Sequence, residues 1–111
     1  MSLSTHVLDT ASGRPVPGLA VRCERLEDDT ATLVTDRRTD TDGRIGDLVT
    51  RADLVRGDYR LTFATGAWAA ANGHPMFYPE VSVTFTVRAA DEHHHVPLLL
   101  SPYGYSTYRG S

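Results

Sequence analysis

Hydrophobic and polar residues alternate with a period of two along most of this chain. Leu19, Val21 and Cys23 lie on one face against Ala20, Arg22 and Glu24 on the other. Tyr59, Leu61 and Phe63 alternate with Arg60 and Thr62, and Val81, Val83, Phe85 and Val87 with Ser82, Thr84, Thr86 and Arg88. Successive strand side chains point to opposite faces, so these runs read as half-buried strands. Shorter candidates cover residues 5–9 and 31–38, and a last strand covers 93–100. Turn residues separate them at 13–18, 27–29, 42–43, 56–58 and 89–91. One segment departs from the pattern. Residues 66–72 are Ala-rich, with Thr65 placed as N-cap, Gly73 as the left-handed C-terminal residue and Pro75 as a stop. Trp68 is the expected anchor of this short helix. A parallel sheet would need a crossover helix between most neighbouring strands, so the pattern predicts an all-β, antiparallel sandwich or barrel.

Composition narrows the function more than the fold. With 111 residues there is material for one domain spanning 1–111, so a site must be a surface cleft or be shared between copies. The net charge is −3, and all 11 basic residues are arginines dispersed among 14 acids, which excludes a nucleic-acid groove. No apolar run is long enough to span a membrane, and no basic-then-apolar leader opens the chain, so a cytoplasmic protein is expected. Cys23 has no partner for an intrachain disulfide; it reads as a small buried hydrophobe in a reducing compartment.

Histidine carries the candidate chemistry. On a strand, His93 and His95 share one face, while His94 joins Val96, Leu98 and Leu100 on the other. His6 lies opposite Thr5, Val7 and Asp9, and Arg44 follows the Asp42-Gly43 turn, where a guanidinium can project from a strand end. Each of these also has a plain reading as a solvated strand or turn residue. A zinc site would need a third ligand from His6, His74, Cys23 or a carboxylate, and no spacing marks one, so neither metal nor cofactor is expected. Neutral imidazole near pH 7 can instead take a proton from water. Tyr103, Tyr105 and Tyr108 crowd a tail that is either an extra edge strand or, through Tyr108, Arg109 and Ser111, a cover over a cleft.

In order along the chain, the residues His6-Val7-Leu8-Asp9, Gly13-Arg14-Pro15, Thr41-Asp42-Gly43-Arg44, His93 to Pro102 and Tyr108-Arg109-Gly110-Ser111 resemble the 5-hydroxyisourate hydrolases of the transthyretin family. The last tetrapeptide is the most specific, since the hormone-carrying transthyretins differ there. The resemblance implies a transthyretin-like sandwich of two four-stranded sheets with one short helix, assembled as a homotetramer (a dimer of dimers) with sites where subunits meet. It implies hydrolysis of 5-hydroxyisourate to 2-oxo-4-hydroxy-4-carboxy-5-ureidoimidazoline in urate breakdown. By the same resemblance His6, Arg44, His95 and Ser111 are catalytic, and His6, Arg44, Tyr108, Arg109 and Gly110 bind substrate. His94 stands where the family usually has an aromatic residue such as tyrosine, and Val16-Pro17 replaces small residues in a loop. The rival function is a carrier of small aromatic ligands in the same channel.

Overall fold

The alternating runs become the strands of two facing sheets. A computed structural model of the protein describes residues 2–111. One sheet has the order β4(Thr30–Arg38), β3(Ala20–Glu27), β6(Gly57–Phe63), β7(Val81–Val87), with every pair antiparallel. The second runs β2(Arg14–Pro15), β1(Leu3–Asp9), β8(His94–Ser101), β9(Gly104–Thr107). A further strand, β5(Arg44–Val49), also pairs with β1. Since β8 occupies one side of β1, β2 and β5 divide the other: β2 takes its end at Leu8 and Asp9, and β5 its beginning from Leu3 to His6. The expected sandwich of two sheets, four strand positions each, is therefore present, with one edge position shared by two short strands. One pair is parallel: β1 and β8 run together from Leu3 beside His94 to Asp9 beside Leu100.

The core lies between the sheets, where Leu3, Val7, Val21, Cys23, Leu61, Phe63 and Leu98 are fully buried. Each such aliphatic or aromatic side chain contributes about 1.5–3 kcal/mol relative to exposure. Burial, with the Glu24 charge adding to it, pushes the Cys23 thiol up to about 12, so it stays protonated and packs as an apolar group. Val83 and Phe85 are only half buried because β7 is an edge strand.

The helix α1(Thr65–Asn72) ends as the sequence implies, with Gly73 left-handed at φ 69° and its N–H bonded to the Ala69 carbonyl. Its start differs. Ala64 occupies the N-cap position without a side-chain hydrogen bond, and Thr65 is inside the helix. The Thr65 hydroxyl is buried and donates 2.7 Å to the Tyr78 carbonyl, so it ties the helix to the following loop instead of capping it. Trp68 is half buried and stacks on His74 at 5.1 Å, while Thr65 and Ala69 are the buried contacts. No helix among the described residues is long and apolar enough to cross a membrane.

Candidate functional site

The period-two geometry that buries Leu3, Thr5 and Val7 turns Ser4 and His6 to the outer face of the second sheet. Pairing with β8 sets Ser4 beside His95, and pairing with β5 sets His6 opposite Arg44. His94 points inward and is 4% exposed, so its unusual identity affects the core side and not this face. Arg44 is placed by a tight turn. The Asp40 carboxylate accepts the N–H groups of Asp42 and Arg44, both at 2.9 Å, and the Arg44 bond is the main reason its carboxyl lies below the usual carboxylate range. Gly43 has φ 74°, and a Cβ there would sit 2.5 Å from the Val7 carbonyl oxygen. Only glycine lets the turn lie this close to β1, where the Val7 N–H bonds the Gly43 carbonyl at 2.8 Å.

These elements enclose a cleft of about 190 Å³ lined by Ser4, Thr5, Arg44, Ile45, Gly46, His93, His95 and Ser111. Three of the four expected catalytic residues, Arg44, His95 and Ser111, thus meet in one place. The fourth, His6, lies on the same face beside Arg44, and its Nε2 is 3.0 Å from the Asp42 carbonyl. Gly110 joins from the tail through a bridge to His95, with its N–H 2.8 Å from the His95 carbonyl. A side chain at Gly110 would collide with the imidazole, its Cβ falling 2.6 Å from His95 Cδ2. Tyr108 and Arg109 are placed elsewhere. They line a groove of about 290 Å³ at the open edge of the sandwich, with Val83, Phe85, His94 and Val96. Arg109 there bonds Glu92 at 3.3 Å and the His93 carbonyl at 3.2 Å.

His95 titrates below the ordinary histidine value of 6.5, first because it is withdrawn from water and then because His93, Arg44 and His6 add positive charge nearby. It is accordingly neutral at neutral pH. Behind it, Ser4 Oγ lies 2.7 Å from His95 Nδ1 and 3.2 Å from His93 Nε2, and the Ser2 N–H reaches His93 Nδ1 at 3.0 Å. Nothing in the sequence pattern marks Ser4, although it lies two residues before His6 on the same strand face. No three His, Cys, Asp or Glu side chains group as metal ligands among the described residues. The arrangement offers two imidazoles, a guanidinium and a hydroxyl to a small polar molecule, which suits proton transfer with recognition of a planar, oxygen-rich compound.

Residues 3–110 match the model of the HIUase/Transthyretin family. A 5-hydroxyisourate hydrolase of Caulobacter vibrioides is 49% identical over 113 residues, covering 98% of this chain and 97% of that protein. Among solved structures, a 5-hydroxyisourate hydrolase of Klebsiella pneumoniae superposes with a TM-score of 0.87 at 36% identity, covering all of both chains. A transthyretin from Sparus aurata superposes with a TM-score of 0.90 at 29% identity, covering 98% of this chain and 96% of that one.

Proposed function

The chain belongs to the HIUase/Transthyretin family, and from that membership and the contents of its cleft we propose that it hydrolyses 5-hydroxyisourate to 2-oxo-4-hydroxy-4-carboxy-5-ureidoimidazoline. The observation that carries this over a carrier role is the convergence of Arg44, His95 and Ser111, with His6 alongside, on one sheet face. A carrier of aromatic ligands has no use for two imidazoles beside an arginine.

The reaction is hydrolysis of a carbon–nitrogen bond in a cyclic amide. Water adds to the ring carbonyl, the bond to nitrogen breaks, the nitrogen takes up a proton and the carbonyl carbon leaves as a carboxylate. Three demands follow: removal of a proton from water, stabilisation of the oxyanion and orientation of the flat ring. His6 and His95 serve the first two, and the Arg44 fork holds the substrate oxygens in plane. Ser111 adds a hydroxyl at the cleft, and Gly110 keeps the backbone close enough for it to arrive there.

The site is completed by other copies of the chain. At about 190 Å³ the cleft is smaller than the roughly 300–1,000 Å³ typical of small-molecule sites. Tyr108 is 58% exposed, and Arg109 is also exposed on the far side. A homotetramer, built as a dimer of dimers, would let Tyr108 and Arg109 of one copy close the cleft of another, consistent with their expected role in substrate binding. The single, buried and unpaired Cys23 fits a cytoplasmic setting.

The test generates 5-hydroxyisourate in place from urate and urate oxidase and follows its ultraviolet decay. The protein is expected to accelerate decay well above the spontaneous rate, and His6→Ala and His95→Ala each to lose roughly 10²–10⁴ of that acceleration. No acceleration by the unaltered protein would favour the carrier.

A further inference from the structure

We infer that hydrogen bonds fix both His6 and His95 with the ring proton on Nε2 yet turn different ring edges to the cleft, so that His6 offers its Nδ1 lone pair and His95 its Nε2–H donor, with Ser4 and His93 as the positioning residues for His95. The roles assigned in catalysis rest on the hydrolase reading above; the tautomers themselves do not.

The His95 chain begins at a group that can only donate. The Ser2 backbone N–H points at His93 Nδ1 across 3.0 Å, so that nitrogen carries no proton and neutral His93 holds its hydrogen on Nε2. His93 Nε2 lies 3.2 Å from Ser4 Oγ and therefore donates to it. With that lone pair engaged, the Ser4 hydroxyl proton is directed to His95 Nδ1 at 2.7 Å. His95 Nδ1 is then the acceptor, and the proton of the neutral ring resides on Nε2. The alternative has Ser4 accepting from both imidazoles. It would leave the Ser4 proton without an acceptor among the described residues, at a residue only 7% exposed, which is the costly way to place a hydroxyl.

His6 is set from its other ring nitrogen, by a group that can only accept. Its Nε2 faces the Asp42 carbonyl oxygen at 3.0 Å and must donate, so in the neutral ring Nδ1 carries the lone pair. The carbonyl is fixed in its turn by the Asp40 carboxylate, which takes the Asp42 and Arg44 N–H groups.

The two histidines therefore divide the labour. His6 Nδ1 takes a proton from water as the oxygen attacks the ring carbonyl, and the Asp42 carbonyl stabilises the imidazolium that results. His95 Nε2–H donates a hydrogen bond to the oxyanion, and the proton on His6 passes to the ring nitrogen when its bond to carbon breaks. Withdrawal from water, and then the nearby His93, Arg44 and His6, disfavour an imidazolium at His95. A neutral donor is what this position can hold.

The experiment reads imidazole nitrogen shifts of the ¹⁵N-histidine-labelled protein without substrate, and separately the turnover of three variants. In the unaltered protein His95 is expected to be protonated at Nε2 and bare at Nδ1, and His6 likewise at Nε2 with Nδ1 bare toward the cleft. Ser4→Ala should mix the His95 tautomers and lower kcat roughly tenfold with little change in KM, the scale of one lost hydrogen bond. His93→Gln retains an N–H donor near the Nε2 position and is expected to keep a rate within about twofold, while His93→Ala falls as Ser4→Ala does. A His95 proton on Nδ1 in the unaltered protein overturns the assignment. So do a folded Ser4→Ala with unchanged shifts and rate, and a folded His93→Gln as damaged as His93→Ala. If the shifts are as expected but the unaltered protein does not speed 5-hydroxyisourate decay, the hydrolase reading fails and the tautomers stand.

Discussion

Gly110→Ala adds one methyl group to the tail and drives it into the Cδ2 side of the His95 imidazole. The Cβ would lie 2.6 Å from His95 Cδ2 and 3.3 Å from Cγ. Carbon atoms rest at about 3.5–4.0 Å, so the ring must retreat by roughly 1 Å or the tail must lift away from β8. Turning the ring off its rotamer costs about 0.5–1.5 kcal/mol, and the Ser4 to His95 hydrogen bond adds about 1 kcal/mol when it stretches. Lifting the tail instead gives up the Gly110 N–H bond to the His95 carbonyl, of similar size. The loss is about 1–2 kcal/mol depending on the route, which for a chain of this length lowers Tm by roughly 4–8 °C. Turnover responds differently, because a displacement of about 1 Å in a reacting group costs roughly 10² in rate. The expected result is a folded protein with kcat down about 100-fold, measured by 5-hydroxyisourate decay beside a thermal melt followed by circular dichroism. Full activity with unmoved His95 resonances would refute the close approach, and a collapse of the fold would refute its being local.

Two further outcomes follow from the geometry. Gly43→Ala puts a side chain at φ 74° and 2.5 Å from the Val7 carbonyl oxygen; with a left-handed penalty and weakened bonds to β1, it should destabilise by about 2–4 kcal/mol in urea titration, and an unchanged midpoint would contradict the packing of that turn. His95 should titrate below 6.5 by NMR, and Arg44→Gln, by removing a positive neighbour, should raise its midpoint. The sign for stability is fixed by the same shift. Between the folded value and 6.5 the unfolded chain binds more protons, so stability rises with pH across that window and is lost as pH falls through the folded value. His95→Gln is expected to flatten that part of the urea-midpoint profile.

Strand positions were legible where alternation was strict and both ends carried turn residues, as in Val81 to Val87. The strand β5 was not, because Leu48 and Val49 are buried in succession and a register shift between Leu3 and Thr5 absorbs the irregularity. Thr65 had the chemistry of a cap, but a carbonyl thirteen residues away competed for its hydroxyl, and local sequence does not show such a partner. That Arg44, His95 and Ser111 share one cleft was expected from the family resemblance, and the division of His94 from His95 from strand phase. Ser4 could not be weighted, since a serine on a strand gains meaning only from what lies beside it. Its partners, His93 and His95, are 89 and 91 positions away. The parallel pairing that brings them together leaves no mark in the periodicity of either strand.

That pairing also sets an order of events. The β3–β4 hairpin joins Glu27 to Thr30 across a short turn, whereas β1 meets β8 only by closing a loop in which Ser4 and His95 are 91 residues apart. Chain entropy makes the longer closure costlier by about 3 kcal/mol, so the β1–β8 seam is disfavoured until other contacts have shortened the path between its ends. Every group in the cleft hangs on that seam or on strands docked to it. As the chain condenses, the histidines acquire their neighbours late, and recovery of activity marks the completion of folding rather than its onset.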